Sequence, residues 1–197
     1  MIVWTRSLSP SDAPFLLLDR DGIINVDRPD YIKHRSEFTL YADALEALRR
    51  LRARRINVII ISNQSALNRG LTTWGDFWDI HRHMVSCVEE AGGELLAAFY
   101  CPHRPDEGCD CRKPRPGMIL AARRLFGIHP ESTVFVGDKE TDVLAARTAG
   151  CVGLRLIRPP MEPPSAPSSD AAAPATLLDA VIRIFGPAIS EEPSAGE

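Results

Sequence analysis

The feature that most constrains this chain is an alternation of short apolar runs with amphipathic segments. Each apolar run has the length of a strand, and several are apolar throughout rather than at every second residue. The runs are 15–18, 57–62, 95–100, 133–138 and 152–157. Uninterrupted apolar strands are typical of a parallel sheet whose two faces are covered by crossover helices. The alternation therefore predicts an α/β fold with a parallel sheet flanked by helices.

Helix start and stop signals lie between the runs. A threonine precedes the second amphipathic segment, Pro116 lies near the start of the third, and Gly127 and Gly150 follow the third and fourth. The predicted helices are 43–55, 72–93, 115–127, 140–150 and 176–186. Composition divides the chain into a domain at 1–158, a Pro/Ser/Ala-rich linker at 159–175, a helix at 176–186 that packs back on the domain, and a disordered tail at 187–197.

The charge of the chain limits its partners. The formal net charge is −3, and charged residues make up 25% of the sequence. Such a balance favours neither nucleic acid nor an anionic membrane as a partner. The N-terminus lacks the long apolar core of a signal peptide, and no run has the length of a membrane span. These observations predict a cytoplasmic protein, and because the sequence has no obvious signal for oligomerisation we expect a monomer.

Two acidic residues directly follow the first apolar run. Asp19 and Asp21 are two positions apart, so their side chains project to the same side of an extended chain. Two carboxylates held close together repel each other and need a cation or a shared proton. Mg²⁺ fits, because it binds a few oxygen ligands together with substrate phosphate. The alternative is a solvated turn without chemistry, and this segment alone does not exclude it.

Polar residues also follow the other apolar runs. Ser62 ends the second run, Asp138 and Asp142 follow the fourth, and Lys113 lies in the loop before the third helix. Each has an ordinary alternative: a helix cap, a turn or a solvated loop cation. Ligands of parallel α/β sheets bind at the carboxyl ends of the strands, so together these groups predict a binding site there.

Three of the five cysteines lie within eleven residues, together with a histidine. The cluster consists of Cys101, His103, Cys109 and Cys111. Three sulfurs and one nitrogen form the ligand set of a closed, tetrahedral zinc site with a structural role. Such a site would fix the loop that carries Arg112 and Lys113, which directly follow its last ligand. The alternative is a loop of reduced thiols in which the histidine is a surface residue.

Four short motifs carry a resemblance to a known family. The motifs are "DRDG", "SNQS", "RKP" and "GDKETD", in that order along the chain. Their order resembles that of the haloacid dehalogenase superfamily of phosphotransferases, and the likeness covers roughly residues 14 to 157. Within it, the longer stretches "LDRDGIINVD" and "CPHRPDEGCDCRKPRPGM" are similar to the branch of heptose bisphosphate and histidinol phosphate phosphatases. The resemblance implies a Rossmann-like parallel sheet without a large cap domain.

The resemblance also implies roles for individual residues. Asp19 would be the nucleophile that forms an aspartyl phosphate, and Asp21 would be the proton donor and acceptor. Mg²⁺ would be held by Asp19, the backbone carbonyl of Asp21 and Asp138, while Ser62 and Lys113 hold phosphoryl oxygens. Asp142 would orient the lysine or a metal-bound water. The implied substrate-binding residues are Asp27, Asn63, Gln64, Ser65, Arg69, Arg112 and Lys139.

The resemblance leaves the substrate open between alternatives. The main expectation is a sugar phosphate, a heptose 1,7-bisphosphate that loses its 7-phosphate, with Arg112 as a fork of donors for the second phosphate. The alternative enzyme acts on histidinol phosphate. An alternative of another class is a zinc-stabilised scaffold without activity, against which the intact Asp19, Asp21, Ser62, Lys113 and Asp138 argue.

Overall fold

The computed structural model of the chain describes residues 1–159, 173–186 and 189. Six strands and five α-helices lie within these described residues. The strands are β1 (Ile2–Thr5), β2 (Phe15–Leu18), β3 (Asn57–Asn63), β4 (Ala97–Cys101), β5 (Val134–Gly137) and β6 (Val152–Arg155). The helices are α1 (Ala42–Ala53), α2 (Trp74–Glu90), α3 (Gly117–Phe126), α4 (Glu140–Thr148) and α5 (Leu177–Phe185).

The strands form one sheet in the order β1-β4-β3-β2-β5-β6. The five strands from β4 to β6 are parallel, as the apolar runs predict. The predicted parallel sheet has one additional edge strand that was not predicted, β1, which pairs antiparallel with β4, with Ile2 opposite Tyr100. The sheet is therefore mixed, and the α/β prediction otherwise holds.

Helix boundaries follow the capping chemistry of the sequence. The side chain of Thr73 accepts a hydrogen bond from the backbone N–H of Asp76 and so caps α2. Gly127 adopts the left-handed conformation, with φ at 68°, and ends α3 where a side chain would be strained. Each predicted helix is between one and five residues longer than the observed one, because the sequence pattern continues into the flanking turns.

Helices cover both faces of the sheet. Alternate strand residues such as Leu16, Leu18 and Ile60 pack on one face with α1, α2 and α5. The intervening residues, such as Leu17 and Ile59, pack on the other face with α3 and α4. This arrangement explains why the strands read as continuous apolar runs.

The chain reverses its direction of winding at the centre of the sheet. From β2 the next strand in sequence lies on one side, at β3, whereas β5 lies on the other side and leads outward to β6. A crevice opens at such a switch point beyond the carboxyl ends of the strands. Asp19 follows β2 and Asp138 follows β5, so the topology places both residues at this crevice.

The C-terminal helix α5 packs against α1 and buries Leu177, Ala180 and Val181. Its N-terminus is held by Asp43 of α1, whose carboxylate accepts the Leu177 N–H at 2.8 Å. Most of the predicted linker at 159–175 and of the predicted tail at 187–197 lies outside the described residues, and the division into domains remains a prediction. In the parts of the chain that the structure covers, no helix combines the length and the apolar character needed to span a membrane.

Candidate active site

Asp19 is the buried acid at the centre of the site. It follows β2 directly, and its backbone N–H donates to the carbonyl of Val136 at 2.9 Å. Its carboxylate lies 2.9 Å from the ammonium of Lys113, and only 5% of the residue is exposed. Burial raises the pKa of Asp19 to about 7, although the positive charge of Lys113 opposes the shift. Lys113 therefore favours the anionic form of Asp19, whereas burial disfavours it.

Asp21 lies two residues further on, in a different environment. Its carboxylate accepts hydrogen bonds from Arg20, from Asn25 at 2.9 Å and from Gln64 at 2.7 Å. Burial works to raise its pKa, but the charge of Arg20 and these hydrogen bonds outweigh burial and leave the pKa below its ordinary value. The structure therefore holds Asp21 as a carboxylate, the form that acts as a base.

Lys113 reaches into the site from the loop before α3. Its ammonium lies 2.9 Å from Asp19 and 2.7 Å from Asp142, and it donates to the carbonyl of Ile61 at 2.8 Å. The residue is only 4% exposed, and burial alone would lower its pKa. The two carboxylates outweigh burial and raise the pKa of Lys113, so the side chain stays charged.

Asn63 and Gln64, predicted to bind substrate, hold the site together. The side chain of Asn63 accepts from the backbone N–H of Lys113 at 3.1 Å and donates to its carbonyl at 3.2 Å. The side-chain amide of Gln64 donates to Ser62 Oγ at 3.0 Å and to Asp21. These two residues therefore fix the positions of the lysine, the serine and the second aspartate.

Asp138 and Asp142 bring two more carboxylates to the same strand ends. Asp142 is 1% exposed, and its Oδ2 accepts the backbone N–H of Lys139 at the start of α4. Asp138 has a buried oxygen, Oδ1, without a hydrogen-bond partner. Burial raises the pKa of Asp138 to about 6, against the charge of Lys139. The turn at Gly22 packs directly on Asp138, because a Cβ at that glycine would lie 2.6 Å from Asp138 Oδ2.

The acidic residues fit a hard divalent cation. Carboxylate oxygens of Asp19, Asp138 and Asp142 lie within 4.8 Å of one another. Asp142 Oδ1 is in an ion pair with Lys113 at 2.7 Å, and its Oδ2 accepts the backbone N–H of Lys139. Asp138 Oδ1 is also buried without a hydrogen-bond partner, and no ion pair to it is seen among the described residues. An unpaired buried carboxylate oxygen beside a second carboxylate is suited to Mg²⁺, which binds one or two carboxylates and keeps positions open for phosphate and water.

A cavity of about 400 Å³ opens above these groups. The predicted site residues that line it are Asp19, Asp21, Asp27, Ser62, Asn63, Gln64, Ser65, Arg112, Lys113, Lys139 and Asp142. Arg20, Arg28, Tyr31 and Thr141 also line it and were not predicted. The sequence holds one signal for Arg20, which lies between the two aspartates of "DRD". Tyr31 has φ at 66°, which a sequence pattern does not reveal.

Of four further predicted substrate-binding residues, Asp27, Arg112 and Lys139 line the cavity and Arg69 does not. Lys139 and Asp27 form an ion pair of 2.9 Å. Arg112 lines the cavity and donates one hydrogen bond to the carbonyl of His103 at 3.1 Å. Arg69 is exposed and lies over the ring of Tyr31 rather than in the cavity lining. Of the predicted residues, Asp138 and Arg69 are the two that do not line the cavity.

The four predicted zinc ligands come together beside the active site. The three sulfurs of Cys101, Cys109 and Cys111 lie 3.4–3.6 Å apart, and His103 Nδ1 lies 3.5 Å from Cys101 Sγ and 3.3 Å from Cys111 Sγ. Zn–S bonds of about 2.3 Å and Zn–N bonds of about 2.0–2.1 Å would separate ligand atoms of a tetrahedral site by about 3.5–3.8 Å. All three cysteines are free thiols. The cluster therefore matches the size and ligand chemistry of a closed zinc site.

The cluster is connected to the catalytic groups through the backbone. Cys101 ends β4, and its carbonyl accepts the N–H of Gln64 at 2.7 Å. Arg115 donates to the carbonyls of Gly108 and Cys109, both at 2.6 Å, and so holds the loop from its other side. Lys113 follows the last cysteine by two residues. The loop thus joins the cysteine cluster to the buried lysine.

Comparison with known proteins agrees with this geometry. The profile of the haloacid dehalogenase-like hydrolases matches residues 4–150. This chain belongs to the haloacid dehalogenase-like hydrolase family. The membership confirms the predicted family and enzyme class, a phosphatase-type hydrolase.

Individual relatives are similar over most of the chain. A D-glycero-beta-D-manno-heptose-1,7-bisphosphate 7-phosphatase from Pseudomonas aeruginosa is 37% identical over 171 residues, which cover 83% of this chain and 96% of the relative. The protein of that name from Helicobacter pylori is 37% identical over 151 residues, 76% of this chain and 87% of the relative. The crystal structure of D,D-heptose 1,7-bisphosphate phosphatase from Bordetella bronchiseptica, in complex with magnesium and phosphate, is 30% identical. It superimposes with a TM-score of 0.77 over 87% of this chain and 97% of that one.

Proposed function

We propose that this chain is a Mg²⁺-dependent phosphatase that removes the 7-phosphate of D-glycero-D-manno-heptose 1,7-bisphosphate through an aspartyl phosphate. One observation carries the chemistry: a buried carboxylate, Asp19, lies 2.9 Å from a buried lysine at a cavity with further cationic side chains. The proposed substrate is based on the relatives, because those named above are heptose bisphosphate phosphatases.

The first half-reaction is an attack of Asp19 on phosphorus. One carboxylate oxygen forms a bond to phosphorus while the bond to the sugar oxygen breaks. Asp21 must be protonated for this step, with the proton that water leaves on it at the end of the preceding turnover, and it gives this proton to the sugar oxygen. Lys113 and the hydroxyl of Ser62 hold phosphoryl oxygens. The lysine also lies against the nucleophile, so it counters the repulsion between two anions.

The second half-reaction is hydrolysis of the aspartyl phosphate. A water attacks phosphorus and gives a proton to Asp21, and the bond to Asp19 breaks to release phosphate and restore the carboxylate. The donors around Asp21 stabilise its base form, which suits this step. Asp142 orients Lys113 across the 2.7 Å ion pair. A bound Mg²⁺ would be held by Asp19, Asp138 and the backbone carbonyl of Asp21, and would offset negative charge on the nucleophile and the phosphoryl group.

The remaining cavity residues bind the sugar and its second phosphate. Arg112 is the main candidate for the second phosphate, since a guanidinium offers a planar fork of donors and one of its nitrogens is already fixed on His103. Asp27 and Lys139 face each other across 2.9 Å and are suited to sugar hydroxyl groups. The cluster of Cys101, His103, Cys109 and Cys111 holds Zn²⁺ in a structural site that keeps this loop in place.

A substrate panel tests the proposal. Phosphate release is measured for the heptose 1,7-bisphosphate, for histidinol phosphate and for an aryl phosphate at saturating Mg²⁺. We expect the highest kcat/KM for the bisphosphate, and no turnover of any substrate by Asp19→Asn, because an amide cannot form the acyl phosphate. A higher kcat/KM for histidinol phosphate would reject the heptose substrate, and normal turnover by Asp19→Asn would reject the covalent mechanism.

A further inference from the structure

Arg158, beyond the last strand, makes a set of contacts that the proposed chemistry does not use. Its Nε donates to the carbonyl of Gly22 at 3.0 Å, and its Nη2 donates to the carbonyl of Ile23 at 2.8 Å. Both carbonyls belong to the turn that follows Asp19 and Asp21. A single guanidinium from a distant part of the chain thus satisfies two backbone acceptors of the catalytic turn.

The guanidinium is fixed on its other sides. It forms a two-pronged ion pair with Asp43 of α1, at 2.9 and 3.2 Å, and stacks on the ring of Tyr41 at 3.5 Å. The side chains of Arg158 and Asp43 are only 15% and 23% exposed. Planar stacking and a bidentate carboxylate leave the guanidinium little freedom, so it acts as a rigid support for the turn.

The supported turn lies against the metal-binding side of the site. Gly22 has φ at 80°, and it packs so closely on Asp138 that a Cβ would lie 2.6 Å from Oδ2. Asp138 is the residue with the unpartnered buried oxygen. The conformation of Gly22 also orients the preceding peptide group, whose carbonyl belongs to Asp21. A shift of this turn would therefore change the position of the Asp21 carbonyl relative to the Asp138 carboxylate.

We infer that Arg158 is a positioning residue that sets the affinity of the site for Mg²⁺ by holding the Gly22–Ile23 turn against Asp138. The inference rests on the proposed function, because it takes Asp19, Asp138 and the Asp21 carbonyl as the ligands. Arg158 touches none of the reacting atoms. It acts through the backbone, in the way that groups around metal ligands commonly orient them.

The inference also assigns a role to the C-terminal part of the fold. Asp43, which holds Arg158, accepts the Leu177 N–H at the start of α5 as well. The backbone N–H of Ile157 donates to the carbonyl of Pro174 at 3.0 Å. The segment after β6 and the helix α5 therefore meet at the same carboxylate that supports the catalytic turn.

The test compares Mg²⁺ binding among variants. The dissociation constant is measured by titration calorimetry, well below each melting temperature, for the wild type, Arg158→Ala and Arg158→Lys. Arg50→Ala is the matched control, because Arg50 is also a partly buried arginine, 17% exposed, whose ion pair is formed with Glu46 within α1. Loss of such an outer contact typically weakens metal binding about 10- to 100-fold. We expect Arg158→Ala to raise the Mg²⁺ dissociation constant at least about 10-fold, and Arg50→Ala to leave it unchanged.

Activity against Mg²⁺ concentration gives a second measurement. For Arg158→Ala, half-saturation by Mg²⁺ shifts upward, while the KM for an aryl phosphate at saturating Mg²⁺ stays near the wild-type value. Arg158→Lys keeps the charge but not the fork of donors, so its dissociation constant for Mg²⁺ should also rise. This variant provides the test if Arg158→Ala does not fold. A lower melting temperature with an unchanged Mg²⁺ dissociation constant in both variants would overturn the inference.

The inference and the proposed function can fail separately. A wild type that hydrolyses the bisphosphate and an Arg158→Ala variant that binds Mg²⁺ normally would leave the function in place and reject the inference. A wild type that binds Mg²⁺ but releases no phosphate from any substrate would reject the function. The inference would still stand in that case if Arg158→Ala weakened the binding.

Discussion

Replacement of Lys113 by methionine should destabilise the protein strongly, because two buried carboxylates would lose their shared cation. The side chains of Lys113, Asp19 and Asp142 are 2%, 7% and 1% exposed, and the ammonium lies within 2.9 Å of both acids. Removal of one partner from a buried ion pair typically costs about 3–5 kcal/mol, because the remaining charge is left uncompensated. Methionine retains most of the side-chain volume, so the cost of a cavity is small.

The magnitude can be measured as a shift in melting temperature. For a domain of this size about 1 kcal/mol corresponds to about 2–4 °C, so we expect Lys113→Met to melt about 6–20 °C below the wild type in Mg²⁺-free buffer. The double variant Lys113→Met/Asp142→Asn should lose less stability than Lys113→Met alone, because the second substitution removes one of the two uncompensated carboxylates. The expected order separates an electrostatic effect from a simple loss of packing.

A lysine outside the site serves as the control. Lys33 forms ion pairs with Asp30 at 2.7 Å and Glu37 at 3.2 Å, but these side chains are far more accessible to solvent, at 23% exposed for Lys33 and Glu37 and 56% for Asp30. Exposed ion pairs contribute little, so Lys33→Met should melt close to the wild type. A loss of less than about 1 kcal/mol in Lys113→Met would refute the reasoning. So would a double variant that is less stable than Lys113→Met.

Three further predictions follow from the same structure. Arg112→Ala should raise the KM for the bisphosphate about 10- to 100-fold, because a charge-assisted hydrogen bond is worth about 1.5–3 kcal/mol; the KM for an aryl phosphate should change little, and equal increases for both substrates would contradict the role of Arg112. Cys109→Ser should lower the zinc content, measured by elemental analysis, from one equivalent per chain, and should lower the melting temperature with it; a zinc-free wild type of equal stability and activity would reject the structural metal. Burial, together with the charges of Arg20 and Arg82, lowers the pKa of His81 from 6.5 to about 4. The native state therefore binds fewer protons at this residue than the unfolded state. As the pH drops from 6.5 to 4, we expect the free energy of unfolding to fall by up to about 3 kcal/mol. His81→Gln should reduce this pH dependence in urea unfolding, and identical profiles for the two proteins would show that folding does not lower the pKa of His81.

The strand ends could be predicted from the sequence because they depend on local patterns. A buried parallel strand has an uninterrupted apolar sequence, and the polar residue that follows it directly must lie at the end of that strand. Asp19, Ser62 and Asp138 follow their strands in this way, and topology alone brings them to one edge. The cysteine cluster was predictable for the same reason, since all four ligands lie within one short loop.

The antiparallel edge strand β1 was not predicted, because its four residues carry too little pattern. Ile2–Thr5 contains three partly buried residues and one exposed valine, which does not distinguish an edge strand from an irregular terminus. Its position depends on pairing with Tyr100 and its neighbours, about one hundred residues away. Pairing over such a distance is set by packing in the folded chain rather than by the local sequence.

The contacts that hold the site residues in place could not be predicted from sequence patterns either. Arg158 and Gly22 are 136 residues apart, and Asn63 and Lys113 are 50 residues apart. Motifs indicate Asn63 and Gln64 as residues near the substrate, but not that their side-chain amides are engaged by Lys113, Ser62 and Asp21. Such contacts depend on the exact placement of loops, which only the folded structure supplies.

The pairing of charges explains why the metal and the phosphoryl group belong together in this site. Among the described residues, Arg20 is engaged by Asp21, Lys113 by Asp19 and Asp142, and Lys139 by Asp27. Asp138 is then left with a buried oxygen that has no partner, and a phosphate monoester would add about two further negative charges. A buried site cannot hold that excess without a further cation. In the proposed mechanism, a divalent ion at Asp19 and Asp138 would supply the missing charge where the nucleophile and the phosphate approach each other, so substrate and Mg²⁺ should each strengthen the binding of the other.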